Sequence, residues 1–306
     1  EWKDNPLIIK DVMRFLDNVL QDFIDNAPAG MEKAIYSASR ERSIGLGVMG
    51  LHSFLQSKSV PIESVMAKVW NKQIFEHIKR EVDEASIDLA EERGACPDAA
   101  EVGISERFSN KIAIAPTASI SIICGNSSPG IEPYAANSFT QKTLTGSFTV
   151  INKHLKKLLA ERGFDNDDTW SSISTHEGSV QHLDFLSDLE KDVFKTAQEI
   201  DQRWLIDLAA DRSKFICQAQ SLNVFLPGDV EKKILHEVHW SAWKKGVKSL
   251  YYCRSTSIQR AEKAHEALAG REQLEMKLEP KARKDKKTGN AKAVPNANYE
   301  ECLACQ

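Results

Sequence analysis

Six cysteines in 306 residues, at positions 96, 124, 217, 253, 302 and 305, are too few and too scattered to staple a fold of this length, which excludes a disulfide scaffold. Only the last two form a closely spaced pair. Long apolar runs are missing as well: no stretch approaches the ~20 uninterrupted apolar residues of a membrane span. The opening EWKDNPLIIK has no basic segment leading into an apolar core. The chain therefore reads as cytoplasmic, with no membrane partner. Positive charge is not in excess either. Forty Lys and Arg face forty-four Asp and Glu, a net charge of −4, so no whole-chain basic field exists to hold nucleic acid and any anion has to be bound locally. No internal repeat of solenoid or propeller period is present. What remains, with 42% hydrophobic and 27% charged residues, is the composition of one or two soluble domains with a sizeable core.

Residues 8–26 repeat apolar residues at helical spacing, with Val12, Phe15, Leu16, Val19, Leu20 and Phe23 on one face, which predicts an amphipathic core helix. A second helical pattern covers 62–93 and is stopped by Gly94 and Pro97. β-type runs at 111–115, 215–226 and 247–253 alternate with helical stretches at 151–162, 184–210 and 229–245, the signature of an α/β domain with parallel strands extending over residues 1–258. Beyond it, residues 259–301 read as a charged helix followed by a Lys-rich, Gly- and Pro-punctuated tether, and residues 302–306 carry the cysteine pair.

Four constellations could carry chemistry. Gly45-Leu-Gly47-Val-Met-Gly50 has G-x-G-x-x-G spacing, but the preceding SASRERS is too polar for the strand a dinucleotide site requires; the glycines read instead as places of close backbone packing. Pro116-Thr117-Ala118-Ser119-Ile120 follows the KIAIA strand and runs on to Gly130-Ile131-Glu132-Pro133. A strand ending in small hydroxyl residues that open a helix presents unpaired N–H groups to an anion such as phosphate, the alternative being a cap in which Thr117 or Ser119 satisfies its own helix. Tyr251-Tyr252 can form a redox relay, because tyrosine loses an electron together with its proton; core packing in a strand is the alternative. Cys302 and Cys305 lack the two further ligands that zinc would need nearby. On a tether they read as a dithiol that enters a site, exchanges with a disulfide and swings out to be reduced by an external dithiol protein.

Taken in order, SIGLGVMGLHSF, NKQIFEHIKREVDEASIDLAEERG, IAPTASISIICGNSSPGIEPY, QSLNVF, WKKGVKSLYY and the final CLAC resemble the C-terminal part of the large, catalytic subunit of class I ribonucleoside-diphosphate reductase. The resemblance implies the second half of a ten-stranded α/β barrel, with surrounding helices and a flexible C-terminal tail. It implies that Pro116, Thr117, Ala118, Ser119 and Ile120 hold the phosphates of a ribonucleoside diphosphate. Tyr252 would take a radical from a small subunit, which carries the metal centre, and Tyr251 would pass it on. Cys302 and Cys305 would restore the active-site dithiol and be reduced in turn by thioredoxin or glutaredoxin, with no cofactor bound directly to this chain. The helix at 229–245 resembles one that helps receive the small subunit's tail.

The departures are as informative. None of Cys96, Cys124, Cys217 or Cys253 stands in the family's Asn-x-Cys-x-Glu loop, which carries the thiyl radical, and the effector-binding regions are not matched. The segment between Cys96 and the KIAIA strand is compact, as in phage-encoded versions. The expectation is tight association with a polypeptide carrying the first half of the barrel, from a split gene or a nicked subunit. Two rivals differ in class: a cobalamin-dependent reductase, which needs no tyrosine pair, and a noncatalytic remnant serving assembly or regulation.

Overall fold

The computed structural model describes residues 5–143 and 146–256. In chain order the elements are α1 (Ile8–Asn26), α2 (Glu32–Glu41), α3 (Leu51–Ser57), α4 (Val65–Arg93), α5 (Pro97–Glu101), α6 (Ala118–Ile123), β1 (Ser138–Thr143), β2 (Gly146–Ile151), α7 (Lys153–Arg162), α8 (Asp167–Thr175), α9 (Asp188–Val193), α10 (Gln202–Ser213), β3 (Val224–Pro227), α11 (Lys232–Lys244) and β4 (Cys253–Thr256). The charged helix, the tether, Cys302 and Cys305 lie outside the described residues.

Four extended segments run parallel and side by side. Leu46 bridges Ile112, Ile114 bridges Gln220, and β3 pairs with β4 from Val224–Cys253 to Pro227–Thr256. Backbone bonds such as Ala113 N–H to Leu46 O, Ser221 N–H to Ile114 O and Tyr251 N–H to Leu222 O continue the pattern between these pairs. The glycines of the decoy motif explain how the first two segments come so close. A Cβ on Gly47 would lie 2.5 Å from the carbonyl oxygen of Ala113, so only glycine fits there.

The helix at 8–26 forms over the expected residues, but its predicted face is split. Ile9, Met13 and Asp17 point inward and Leu16 and Leu20 are partly buried, while Val12, Phe15 and Val19 are exposed. An ion cluster sets this rotation. Asp17 is fully buried and its carboxylate accepts from Arg42 at 2.6 Å, Arg93 at 2.8 Å and Arg107 at 3.0 Å, tying α1 to the end of α2, the end of α4 and the segment after α5. Burial alone would push this carboxyl up; the hydrogen bonds from Arg107, Arg42 and Arg93 outweigh it and hold Asp17 below its ordinary value.

Other boundaries differ from the sequence pattern for identifiable reasons. The stretch 184–210 is two helices, because Ser187 and Glu190 form a capping box at α9, Glu199 ties back onto Thr196, and Asp201 caps α10. Within 215–226 the chain pairs at Gln220 and becomes a strand only at Val224, and the 247–253 run becomes one only at Cys253. The β1–β2 hairpin is antiparallel and stands outside the alternation of helices and parallel strands. The main core gathers Met13, Leu55, Phe75, Val82, Phe108, Ile112 and Ile206, and a smaller one packs Leu155, Leu159, Ile173 and Val180 beside the hairpin and α8.

Candidate active site

Register brings the predicted residues to one level. Three residues beyond the Ile114–Gln220 bridge the chain reaches Thr117 on one segment and Asn223 on the next; Asn223, immediately before the Val224–Cys253 pair, stands beside Tyr252. A cleft of about 270 Å³ opens there, lined by Pro116, Ala118, Ser119, Glu132, Asn223 and Arg254 among others.

Thr117 occupies the left-handed region at φ +54° and precedes α6 without capping it through its side chain. Its Oγ1 instead accepts the backbone N–H of Gly130 at 2.8 Å. The N–H groups of Ala118, Ser119 and Ile120 open the first turn of α6, where no intrahelical acceptor exists, and Ser119 and Ile120 are exposed. A loop in this state offers backbone donors to an anion at little cost in rearrangement.

The rings of Tyr251 and Tyr252 are in contact, 4.1 Å between centroids and tilted by 50° to one another. They are 42% and 46% exposed, so neither is a core packing residue. Their backbone is fixed while their rings face out: Tyr251 N–H donates to Leu222 O at 2.8 Å, Tyr252 N–H to Asn223 Oδ1 at 3.0 Å, and Tyr252 O accepts from Val224 N–H at 3.0 Å. The guanidinium of Arg254 lies 5.5 Å from the Tyr252 ring centre.

Three residues that the motifs did not single out as functional complete the cleft. Glu132 is 7% exposed, and burial raises its carboxyl to about 7 against the lowering influence of Asn223 and Arg254. Its only sequence signal is a charge wedged between Ile131 and Pro133 in an apolar stretch. Asn223 sits in a run that reads as plain strand, and Arg254 falls just past the end of the 247–253 run. Among the cysteines, Cys217 is structural: its Sγ accepts the N–H groups of Lys111 and Ile112 at 3.1 and 3.2 Å. Cys96 is buried, and Cys124 and Cys253 are exposed. Among the described residues no helix is long and apolar enough to cross a membrane.

One exposed side of α11 carries His236, Trp240 and Trp243, the two indoles 4.9 Å apart and His236 stacked 6.1 Å from Trp240. A surface with two adjacent Trp side chains more than half exposed is unusual for a solvated helix.

Comparison with known proteins adds to this picture. The family profile "Ribonucleotide reductase, barrel domain" matches residues 2–106 and 98–253. The ribonucleoside-diphosphate reductase large subunit of Invertebrate iridescent virus 3 is 49% identical over 268 residues, covering 87% of this chain and 42% of that protein. The putative ribonucleoside-diphosphate reductase large subunit of Frog virus 3 (isolate Goorha) is 39% identical over 278 residues, 90% of this chain and 48% of the relative. Among solved structures, the Actinobacillus ureae class Id ribonucleotide reductase alpha subunit matches with a TM-score of 0.77 and 37% identity, over 84% of this chain and 47% of that one. The chain thus spans less than half the length of these relatives. The parallel segments are, by that likeness, a portion of the α/β barrel expected from the motifs. With the profile running through nearly all of the described residues and the backbone following a solved reductase subunit, the chain belongs to the ribonucleotide reductase barrel-domain family.

Proposed function

We propose that this chain supplies three parts of a ribonucleoside-diphosphate reductase, the enzyme that replaces the ribose 2′-hydroxyl by hydrogen through a radical. These are the substrate phosphate loop, a two-tyrosine radical relay and a dithiol that recycles the active site. The observation that carries the reading is the adjacent, outward-facing pair Tyr251 and Tyr252, on the segment beside Asn223 and the cleft that Ala118 and Ser119 line.

Pro116, Thr117, Ala118, Ser119 and Ile120 bind the diphosphate through the unpaired amides of the α6 turn, which holds the ribose in place. Fixing a reactant in this way contributes several kcal/mol to lowering the barrier. Tyr252 receives the radical from the small subunit and Tyr251 hands it toward the thiol that begins chemistry, each transfer moving an electron and a proton together. That thiol belongs to a part of the barrel not represented among these residues, carried on a complementary segment. The metal centre that generates the radical resides in the small subunit. The aromatic strip His236, Trp240 and Trp243 on α11 receives that subunit's tail, and burying two indoles there supplies the anchoring area typical of hot spots. Cys302 and Cys305 reduce the disulfide left after turnover and pass the oxidation to thioredoxin or glutaredoxin.

The test is reconstitution. The chain is combined with the complementary part of the large subunit, the small subunit, thioredoxin and its reductase, and formation of deoxynucleoside diphosphate is followed. Activity that requires all of these supports the reading. No activity with the complete set, or activity without the small subunit, overturns it.

A further inference from the structure

Two walls of the cleft are joined through one residue that none of the roles above uses. Pro116, Ala118 and Ser119 line one wall, and Tyr134 and Phe139 of β1 line the other. Asn126 stands just after α6, in the left-handed region at φ +52°, a conformation that Asn adopts more readily than most residues. Its backbone N–H donates to Ile122 O at 3.0 Å, which closes the end of α6. Its side-chain Nδ2 donates to Ile151 O at 2.7 Å, and its carbonyl accepts the Tyr134 hydroxyl at 2.8 Å. The loop helix, the hairpin and the opposite wall thus converge on a single residue.

Both partners of Asn126 are themselves held. Ile151 ends β2, where it pairs with Ser138, and Val150 before it pairs with Phe139 of the cleft wall. The next residue, Asn152, is 2% exposed; its N–H donates to Asn137 O at 2.8 Å, and its Nδ2 to Asn137 Oδ1 and Gln56 Oε1, each at 2.9 Å. Tyr134 places its own N–H on Nδ1 of the buried His52 at 3.0 Å. By contrast α6 has six residues, too few to keep a helical turn in place without anchors.

We propose that Asn126 is a positioning residue for the substrate: it fixes α6, and with it the Pro116–Ile120 loop, against the root of the β1–β2 hairpin and Tyr134, and so sets the width of the cleft. The inference rests on the reading of this cleft as the diphosphate site. Thr117 latches the start of the loop helix to Gly130, and Asn126 latches its end to Ile151. With both ends tied, the amides of Ala118, Ser119 and Ile120 are ordered before the anion arrives, and binding does not have to order them.

Asn126→Gly keeps a residue at ease in the left-handed region and removes only the side-chain donor. Cys124 N–H donates to Ile120 O and Ser127 N–H to Ser121 O, so hydrogen exchange at these two amides reports on the end of α6. Measured in the full chain, that exchange is expected to speed up about fivefold, the effect of one lost hydrogen bond. Inorganic pyrophosphate is expected to shift the amide resonances of Ala118, Ser119 and Ile120 in the parent and to bind about fivefold more weakly in the variant. In the reconstituted enzyme KM for the diphosphate rises by the same factor with kcat nearly unchanged, the split that follows when binding alone is weakened. Ser187→Ala, which removes the capping box of α9, lowers stability elsewhere and leaves pyrophosphate affinity as it was. Pyrophosphate binding as tight in Asn126→Gly as in the parent overturns the proposal, as does unchanged exchange at Cys124 and Ser127, or equal weakening by Ser187→Ala. Should Asn126→Gly fail to fold, Tyr134→Phe removes the other tie to Asn126 and decides by the same measurements. Parent resonances at Ala118, Ser119 and Ile120 that pyrophosphate does not move would remove the phosphate reading itself, and the proposal with it.

Discussion

Gly130 donates its backbone N–H to the hydroxyl of Thr117, thirteen positions earlier, closing the loop with one 2.8 Å bond. Gly130 is itself buried at φ +46°, where a Cβ would come within 2.9 Å of Ala115 O, so the glycine end of this latch has no room for a side chain. Thr117→Val keeps the shape and removes the acceptor, leaving a buried N–H unpaired at a cost of about 1–3 kcal/mol. The urea midpoint should fall accordingly. In the reconstituted enzyme KM for the diphosphate should rise about tenfold, since an error of this energy in an anion loop costs a factor of that size. A lower midpoint with KM unchanged would place the phosphate elsewhere.

Tyr251→Phe and Tyr252→Phe each remove one hydroxyl from an exposed ring and leave the backbone bonds of the strand in place. Both variants should fold with stability within about 0.5 kcal/mol of the parent, as exposed positions generally do, and bind substrate normally. Turnover should be abolished in each. Measurable steady-state activity in either variant contradicts a relay that uses both phenols.

Cys302→Ser and Cys305→Ser address the dithiol. Rapid-quench measurement with pre-reduced enzyme should show an undiminished first turnover, followed by arrest when thioredoxin is the only reductant. Arrest should be relieved by a small dithiol that reaches the active site directly. Loss of the first turnover would assign these thiols to chemistry rather than recycling.

The Asp17 cluster yields a pH dependence. Because the folded protein holds this carboxyl below its unfolded value, its stabilisation is complete above the ordinary aspartate range near ~4 and disappears as pH falls through the depressed folded value. Asp17→Asn should cost about 3–5 kcal/mol at neutral pH, since it strands buried guanidinium groups. It should also flatten the acid limb of stability against pH below ~4. Denaturant titrations of both proteins across that range check the sign and the size.

Gly47→Ala tests the close approach of the first two parallel segments. The added methyl meets backbone rather than a flexible side chain. It should destabilise the chain by about 1–3 kcal/mol, the usual cost of overpacking, with larger values where backbone must shift. Gly163→Ala is a useful control: it sits at φ +78° with open space around it, so it carries only conformational strain.

Much of this architecture is legible in the residues. Helical periodicity locates α1 and α4 closely, and the end of α4 is written in Gly94. The parallel arrangement follows from alternation of apolar runs with helices, and the Pro116–Ile120 loop and the tyrosine pair are visible as motifs. Other features depend on contacts that no local pattern encodes. The rotation of α1 is decided by three arginines, two of them 76 and 90 residues away from Asp17. The break at 194–201 depends on Glu199 reaching back to Thr196 rather than on a strong helix breaker. Glu132 is inconspicuous in a line of text because its raised carboxyl comes from burial in a cleft whose other lining residues, Asn223 and Arg254, come together only when the third and fourth parallel segments pair.

The open placement of Tyr251 and Tyr252 carries a consequence for timing. A phenoxyl bathed in solvent is quenched by any passing reductant, and its proton has no defined destination. In the relay proposed above, oxidation would become directional rather than damaging only once a partner's surface sealed both rings. The exposure of this pair would thus make subunit docking the gate on radical injection, so that an enzyme caught half assembled stays dark instead of destroying itself.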